Sequence, residues 1–347
     1  MTPSATARAG ALLAGAAIAC AALAAPAVAQ SEAPSGELKP VSLQLEWVEQ
    51  AQFAGFYVAK DKGFCAEEGL DLTILPGGPN VRSIQQIASG AATFGLDSPL
   101  ALYQARDAGI PVVLVAQPDQ KDGFVKIAFK DEGITEPSQF AGKVVGVWPD
   151  EYEFYPLMAS VDIDPDSDLT LVQQAFTMDA FLNRELDVAS ATLWNEYNVV
   201  LESGVSPDDL VVMNYTDYGF GIPHGGIITL EETLANDRET VVAFVRCSIR
   251  GWLDAYANPD EAIDIVMNYV LEGTEQSGRE HQENMLAAMK TLQLPEGFPE
   301  SDFAKPDPEF YATAAQIAED YDLVNNEPID VEAGYDLTVW EEAAAAQ

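Results

Sequence analysis

The chain has 347 residues, with 17 lysines and arginines against 56 aspartates and glutamates, a formal net charge of −39. Acidity of that size, spread along the chain without a single acidic tail, sets nucleic acid and anionic lipid aside as partners, because like charges repel. It suits a solvated surface in salt, where charges are screened within about 10 Å.

The first element in chain order is an export signal. "MTPSATARAGALLAGAAIACAALAAPAVAQ" carries Arg8 as its only charge, an Ala/Leu run from Ala9 to Ala25, and small residues ahead of Gln30. These are the three parts of a cleaved secretory signal. The run is short, Ala-rich and broken by Pro26, which argues against a membrane anchor. Cleavage after Ala29 is expected, giving a periplasmic protein; Cys20, in "AIAC", lacks the large aliphatic residue expected ahead of a lipidated cysteine. Loss of Arg8 takes the 17 basic residues to 16 against 56 acidic ones, a net of −40. Cys65 and Cys247 remain, and are expected as two separate buried thiols, since one pair so far apart makes no disulfide framework. His224 and His281 lack metal-ligand spacing, and no metal or other cofactor is expected.

After a Ser/Pro/Gly leader (residues 30–39), apolar β-branched runs alternate with helical periodicity. "VSLQLEW" reads as a strand, "FAGFYVAKDKGFCAEEG" as a helix, "LDLTILP" as a strand and "VRSIQQIASG" as a helix. "AATFGLD" is a strand, "SPLALYQARDAG" a helix opened by Ser98 and Pro99, and "IPVVLVAQ" a buried strand. A second unit repeats the alternation: the strands "VKIAFKDEGI", "KVVGVWP", "LTLVQQA", "VASATLW" and "DLVVMNYTDYG" are interleaved with the helices "EFYPLMASV", "TMDAFLNRELD" and "NEYNVVLESG". From about Ile227 the apolar spacing is mostly helical, broken at Asn258-Pro259, with Asp260 able to cap the next helix. The fold class is therefore α/β, with two largely parallel sheets flanked by helices. Two extended stretches, "VVLVAQPDQKDGFVKIAF" and "YTDYGFGIPHGGIITL", suggest a two-strand hinge around a ligand cleft. The expected division is one lobe from residues 40–118 and 224–307, a second from 119–223, and C-terminal helices over 308–347.

"LEWVEQAQFAGFYVAKDKGFCAEEGLDLTI", "IQQIASGAATFGLDSPLALYQARDAGIPVVLVA", "ELDVASATLWNEYNVVLESG" and "VVAFVRCSIRGWLDAYANPDEAIDIV" together resemble the substrate-binding proteins of ABC importers that take up the pyrimidine precursor of thiamine. That family shares its fold with sulfonate-binding proteins and with a fungal pyrimidine synthase. The resemblance implies a type II periplasmic-binding-protein fold, a small aromatic heterocycle as ligand, a permease in the inner membrane as partner, a monomer and no enzymatic activity. The chain departs from the family at its opening, where Trp47 is followed by Val48, Glu49 and Gln50 instead of x-Pro-Asn. Phe53 stands where many members have His, and "GFGIPHGG" stands where the fungal enzyme is Cys-rich. Riboflavin or another flavin, and a sulfonate- or nitrate-type anion, remain alternative ligands. An anion calls for a well-placed Arg, which the proposed cleft segments lack.

The candidate ligand-binding residues are Trp47, Phe53, Asp97, Trp148, Tyr152, Trp194, Asn195, Glu196 and His224. Trp47 ends the first strand, where open α/β sheets bind ligands, although a core role accounts for it equally. Phe53 and Tyr57 share a helix face; Phe53 is assigned to the cleft and Tyr57 to the core. Asp97 suits the cap of the following helix, beside backbone N–H groups that a polar ligand atom could meet. Trp148 and Tyr152 belong to an aromatic strand-to-helix junction. In "TLWNEYN", Trp194 offers a ring, Asn195 a helix cap or both a donor and an acceptor, and Glu196 an acceptor for an exocyclic amine. His224 lies in a crossover and shapes the hinge or touches the ligand.

Overall fold

The computed structural model describes residues 37–149, 151–175, 177–270, 275–326 and 328–345. The expected signal, residues 1–29, and most of the leader lie outside the described residues. The described chain forms one compact unit built on two five-stranded sheets. The first contains β1 (Lys39–Gln44), β2 (Leu70–Leu75), β3 (Phe94–Asp97) and β4 (Val112–Ala116). The second contains β5 (Phe124–Phe129), β6 (Val144–Val147), β7 (Thr170–Gln173), β8 (Val188–Thr192) and β9 (Leu210–Asn214). The chain then returns to the first sheet as β10 (Gly226–Leu230).

The strand orders are β2-β1-β3-β10-β4 and β7-β6-β8-β5-β9. In each, the first three strands are parallel and the fourth is antiparallel to both neighbours. The antiparallel strand is in both cases the one that follows a crossover, β5 after the first and β10 after the second. Ile227–Leu230 are thus strand, where apolar spacing had suggested the start of the helical region; a short apolar run does not separate the two by periodicity. Gln117 Nε2 donates to the His224 carbonyl at 2.7 Å, fastening one crossover to the other.

The helix Ala54–Asp61 packs against the twenty-residue helix Arg238–Ala257, and with β1 and β3 they enclose the main apolar core. The helix Arg279–Gln293 joins the same core through Met285, Leu286, Met289 and Leu292. Cys65 and Cys247 are joined in a disulfide with their Cα atoms 5.0 Å apart, which corrects the expectation of two thiols. Two helices distant in sequence meet there, and no local spacing signals such a meeting. The helix after Asn258 begins at Pro259 with no side-chain cap, so Asp260 does not fill the role expected of it. Among the described residues no helix is long and apolar enough to cross a membrane.

Candidate functional site

The parallel strands of both sheets run out towards a shared cavity of about 690 Å3 of empty space, mouth included, a size typical of small-ligand sites. From the first sheet, β1 leads into Glu46 and Trp47, and β3 ends at Asp97. From the second, β6 leads into Trp148, and β8 ends at Thr192 and leads into Trp194, Asn195 and Glu196. Phe124, which opens β5, and His224, just ahead of β10, complete the wall at the crossovers. Side chains at the carboxyl ends of several strands converge because the strands share a direction.

The rings form a connected set. Trp47 and Trp148, from opposite sheets, lie edge to face with centroids 6.2 Å apart. Phe124 is edge-on to Trp148 at 6.0 Å and to Trp194 at 5.6 Å. His224 stacks on Phe124 at 4.1 Å. Two glycines make room for the set. A Cβ at Gly77 would lie 2.6 Å from Trp47 N, and one at Gly123 would lie 2.6 Å from Trp194 Cζ3. Either contact is far inside van der Waals distance, so a larger residue would displace the tryptophan.

Polar groups brace two of these residues, Trp194 through its ring and Trp148 through its backbone. Trp194 Nε1 donates to Gln52 Oε1 at 3.1 Å, a link between the two sheets' bodies. Trp148 N donates to Glu151 Oε2 at 3.2 Å. Glu151 in turn is buried against Lys126, 2.9 Å away, and accepts from Tyr215 Oη at 2.5 Å and from the Ser190 hydroxyl. Removing either partner of such a buried pair leaves an uncompensated charge, so the pair pins this wall in one arrangement. Burial lowers the Lys126 pKa, and Glu151 opposes that shift.

Glu196 is buried and amply supplied with donors. Its Oε2 accepts from Thr192 N at 2.9 Å and Thr192 Oγ1 at 2.7 Å, and its Oε1 from Asn195 Nδ2 at 2.7 Å. Burial raises its pKa, while these donors pull the other way. His224 Nε2 lies 3.3 Å from Glu153 Oε1. Burial alone would lower the His224 pKa, but Glu153, with Glu46 and Asp122, lifts it to about 10. The imidazolium it implies at neutral pH stacks on Phe124 as a cation on a π face.

Of the nine candidate residues, eight line this cavity: Trp47, Asp97, Trp148, Tyr152, Trp194, Asn195, Glu196 and His224. Phe53 does not. It is 1% exposed in the main core, at the wall of a smaller cavity, because the turn Ala51–Phe53 directs it behind β1. Tyr57 is fully buried in that core. The cap expected of Asp97 belongs to Ser98, whose Oγ accepts from Ala101 N at 3.2 Å; Asp97 Oδ1 accepts from Ser98 N instead. Asn195 occupies a cap position without capping, since its amide is turned to Glu196 and His281. Sequence reasoning missed Glu46, Gln52, Arg82, Phe124 and Thr192 on the cavity wall. Glu46 and Thr192 had a usable signal, being next to Trp47 and at the end of β8. Arg82 had none; the loop after β2 brings it in, so the cavity does contain the arginine the cleft segments lacked.

A family model described as NMT1/THI5 like matches residues 50–262. The riboflavin-binding protein RibY of Chloroflexus aurantiacus is 29% identical over 256 residues, covering 70% of this chain and 71% of that protein. The formylaminopyrimidine-binding protein of Halalkalibacterium halodurans is 28% identical over 239 residues, 66% of this chain and 70% of the relative. Among solved structures, the periplasmic aliphatic sulphonate-binding protein SsuA of Escherichia coli superposes with a TM-score of 0.63 at 13% identity, over 86% of this chain and 92% of the other. That last likeness is one of fold.

Proposed function

The chain belongs to the NMT1/THI5-like family, and from that premise we propose that it is an exported solute-binding protein of the ABC-importer type. It captures a small aromatic heterocycle between its two sheet bodies and hands it to an inner-membrane permease. The observation that carries this reading is the pairing, in one cavity, of rings from both sheets with the buried acceptor Glu196. A flat ligand stacked on such rings gains about 0.5–1.5 kcal/mol per ring beyond area burial, and a carboxylate accepts from an exocyclic amine or a ring N–H. Two relatives named for heterocycles support the ligand class. Closure of the bodies over the ligand, with the crossovers as hinge, leaves the ligand chemically unchanged, so the protein is not an enzyme. It acts as a monomer and needs no cofactor.

Arg82 supports a second ligand class, a sulfonate or similar oxyanion. A thermal-shift screen of riboflavin, formylaminopyrimidine, nucleobases, taurine and nitrate separates the two. A heterocycle held at about 100 times its Kd should raise the melting temperature by on the order of 5 °C. Stabilisation by taurine or nitrate with none by any heterocycle would overturn the first reading in favour of the second, and turnover of a heterocycle would favour an enzyme.

A further inference from the structure

Behind Glu196 a chain of polar side chains runs out to the surface. Asn195 Nδ2 donates to Glu196 Oε1 at 2.7 Å. On its other side Asn195 Oδ1 lies 2.9 Å from His281 Nε2, and His281 Nδ1 lies 3.0 Å from Glu202 Oε2. Asn195, Glu196 and His281 are each no more than 3% exposed, whereas the Glu202 side chain is 35% exposed. The chain also passes between the two bodies. His281 is carried by Arg279–Gln293, which packs in the core of the first sheet, and the other three residues follow β8 of the second. Nothing in the ligand reading above requires His281, and buried polar groups are retained where all their partners are satisfied.

We propose that His281 is a positioning residue for the ligand: by bridging Glu202 to Asn195 it holds the Asn195 amide with its NH2 towards Glu196, and so keeps Glu196 facing the ligand as an acceptor. The logic is that of donors and acceptors. A proton on Nε2 fixes the amide oxygen towards His281 and the NH2 towards Glu196, which then stays ionised and acceptor-only. A proton between Nδ1 and the Glu202 carboxylate completes the set. With the amide reversed, its oxygen would face Glu196 and its NH2 would face Nε2, so Glu196 could hold that contact only by taking up a proton and giving it to the amide oxygen, with no O–H left for the ligand; the N–H on Nε2 excludes that arrangement. The inference rests on the heterocycle reading and deepens it: the ligand edge that meets Glu196 in the arrangement seen here is an N–H donor, as in a 4-aminopyrimidine.

The test uses the mature protein, 4-aminopyrimidine and riboflavin as probes, and 15N NMR of the histidine rings. In the free protein, His281 Nε2 should carry a proton, and adding 4-aminopyrimidine should leave that signal in place. His281→Leu should weaken 4-aminopyrimidine binding about tenfold or more, a lost buried hydrogen bond's worth. His281→Gln, which keeps an N–H donor for Asn195 Oδ1, should restore most of the affinity. Because His281→Leu can unfold the protein, Glu202→Gln at the exposed end serves as the second variant, with an expected loss of about threefold. A bare Nε2 in the free protein, or unchanged affinity in both folded variants, overturns the proposal. Failure of every heterocycle to bind the unaltered protein would instead sink the ligand reading, and the NMR signal of the free protein still decides the placement of the proton.

Discussion

Two groups of rings in this protein are held in different ways. In the core beside β1 and β3, Phe94 stacks on Phe244 at 4.0 Å, Phe56 stacks on Phe244 at 6.5 Å, and Trp252 meets Phe56 edge-on. All four are fully buried among apolar neighbours. At the cavity, Trp47, Phe124, Trp148 and Trp194 touch mostly by their edges, and polar groups brace three of these residues: Gln52 bonds the Trp194 ring, Glu151 with Lys126 holds the Trp148 backbone, and His224 stacks on Phe124. Core rings are fixed by filling space. Cavity rings need polar struts, because one side of each must stay free of packing if a ligand is to use it.

The largest effect should come from breaking the first kind of support. Phe244→Ala removes a ring at the centre of the core stack and should cost about 3–5 kcal/mol of stability, the range for buried Phe→Ala changes, read from urea denaturation. Ligand affinity of the molecules that remain folded should be unaltered. A proportionate loss of affinity would mean that the two groups are mechanically coupled and the distinction is wrong.

The sequence made the frame of this comparison legible but not the assignment of every ring to its side. Alternation of apolar runs revealed both sheets, and the rule that sites lie at strand ends found Trp47, Trp148 and Trp194, because each lies within three residues of the end of a strand. Phe53, assigned to the cleft for its place at the mouth of the first helix, lies only six residues after Trp47, and a single turn, Ala51–Phe53, carries it into the main core. Partners remote in the chain were invisible for a different reason. Arg82, His281 and the Cys65–Cys247 bridge depend on which surfaces meet after the chain has folded, and local periodicity holds no information about that.

A small cavity of about 260 Å3 of empty space lies where the two groups meet, lined by Phe53, Phe56 and Trp252 of the core and by Trp194, Gln52 and Glu46, which also line the larger cavity. Asp119 lines the small one, 4% exposed, and accepts from Gln293 Nε2 at 2.8 Å. Burial pushes its carboxyl up to about 7, against the pull of Gln293 and His224. An unfolded aspartate titrates near 3.9, so between about pH 4 and pH 7 the native state holds a proton that the unfolded chain has released. Asp119 therefore makes stability fall as pH rises through that window, and its penalty is complete above it. Asp119→Asn keeps the acceptor for Gln293 and removes the penalty. The variant should be more stable than the parent at pH 8, by on the order of a few kcal/mol, and nearly equal to it at pH 4. Parallel pH profiles for the two proteins would show that Asp119 stays ionised in the fold.

The smallest change in stability should accompany the clearest change in binding. Trp47 is half-buried, three residues beyond β1, and its ring meets Trp148 from the opposite sheet. Trp47→Ala takes away one wall of the proposed stacking site and the ring contact between the two bodies, while the core stack of Phe94 and Phe244 is untouched. Affinity for a heterocycle should fall about tenfold or more, since a buried aromatic anchor commonly contributes 2 kcal/mol or so to a complex. Stability of the free protein should change by only about 1 kcal/mol, because a ring left partly in water has less transfer free energy to lose. Calorimetric titration beside denaturation of the same sample gives both numbers. If Trp47→Ala instead destabilised the free protein as much as Phe244→Ala while leaving affinity intact, Trp47 would belong with the core rings, and the cavity would lose the wall that the first sheet contributes.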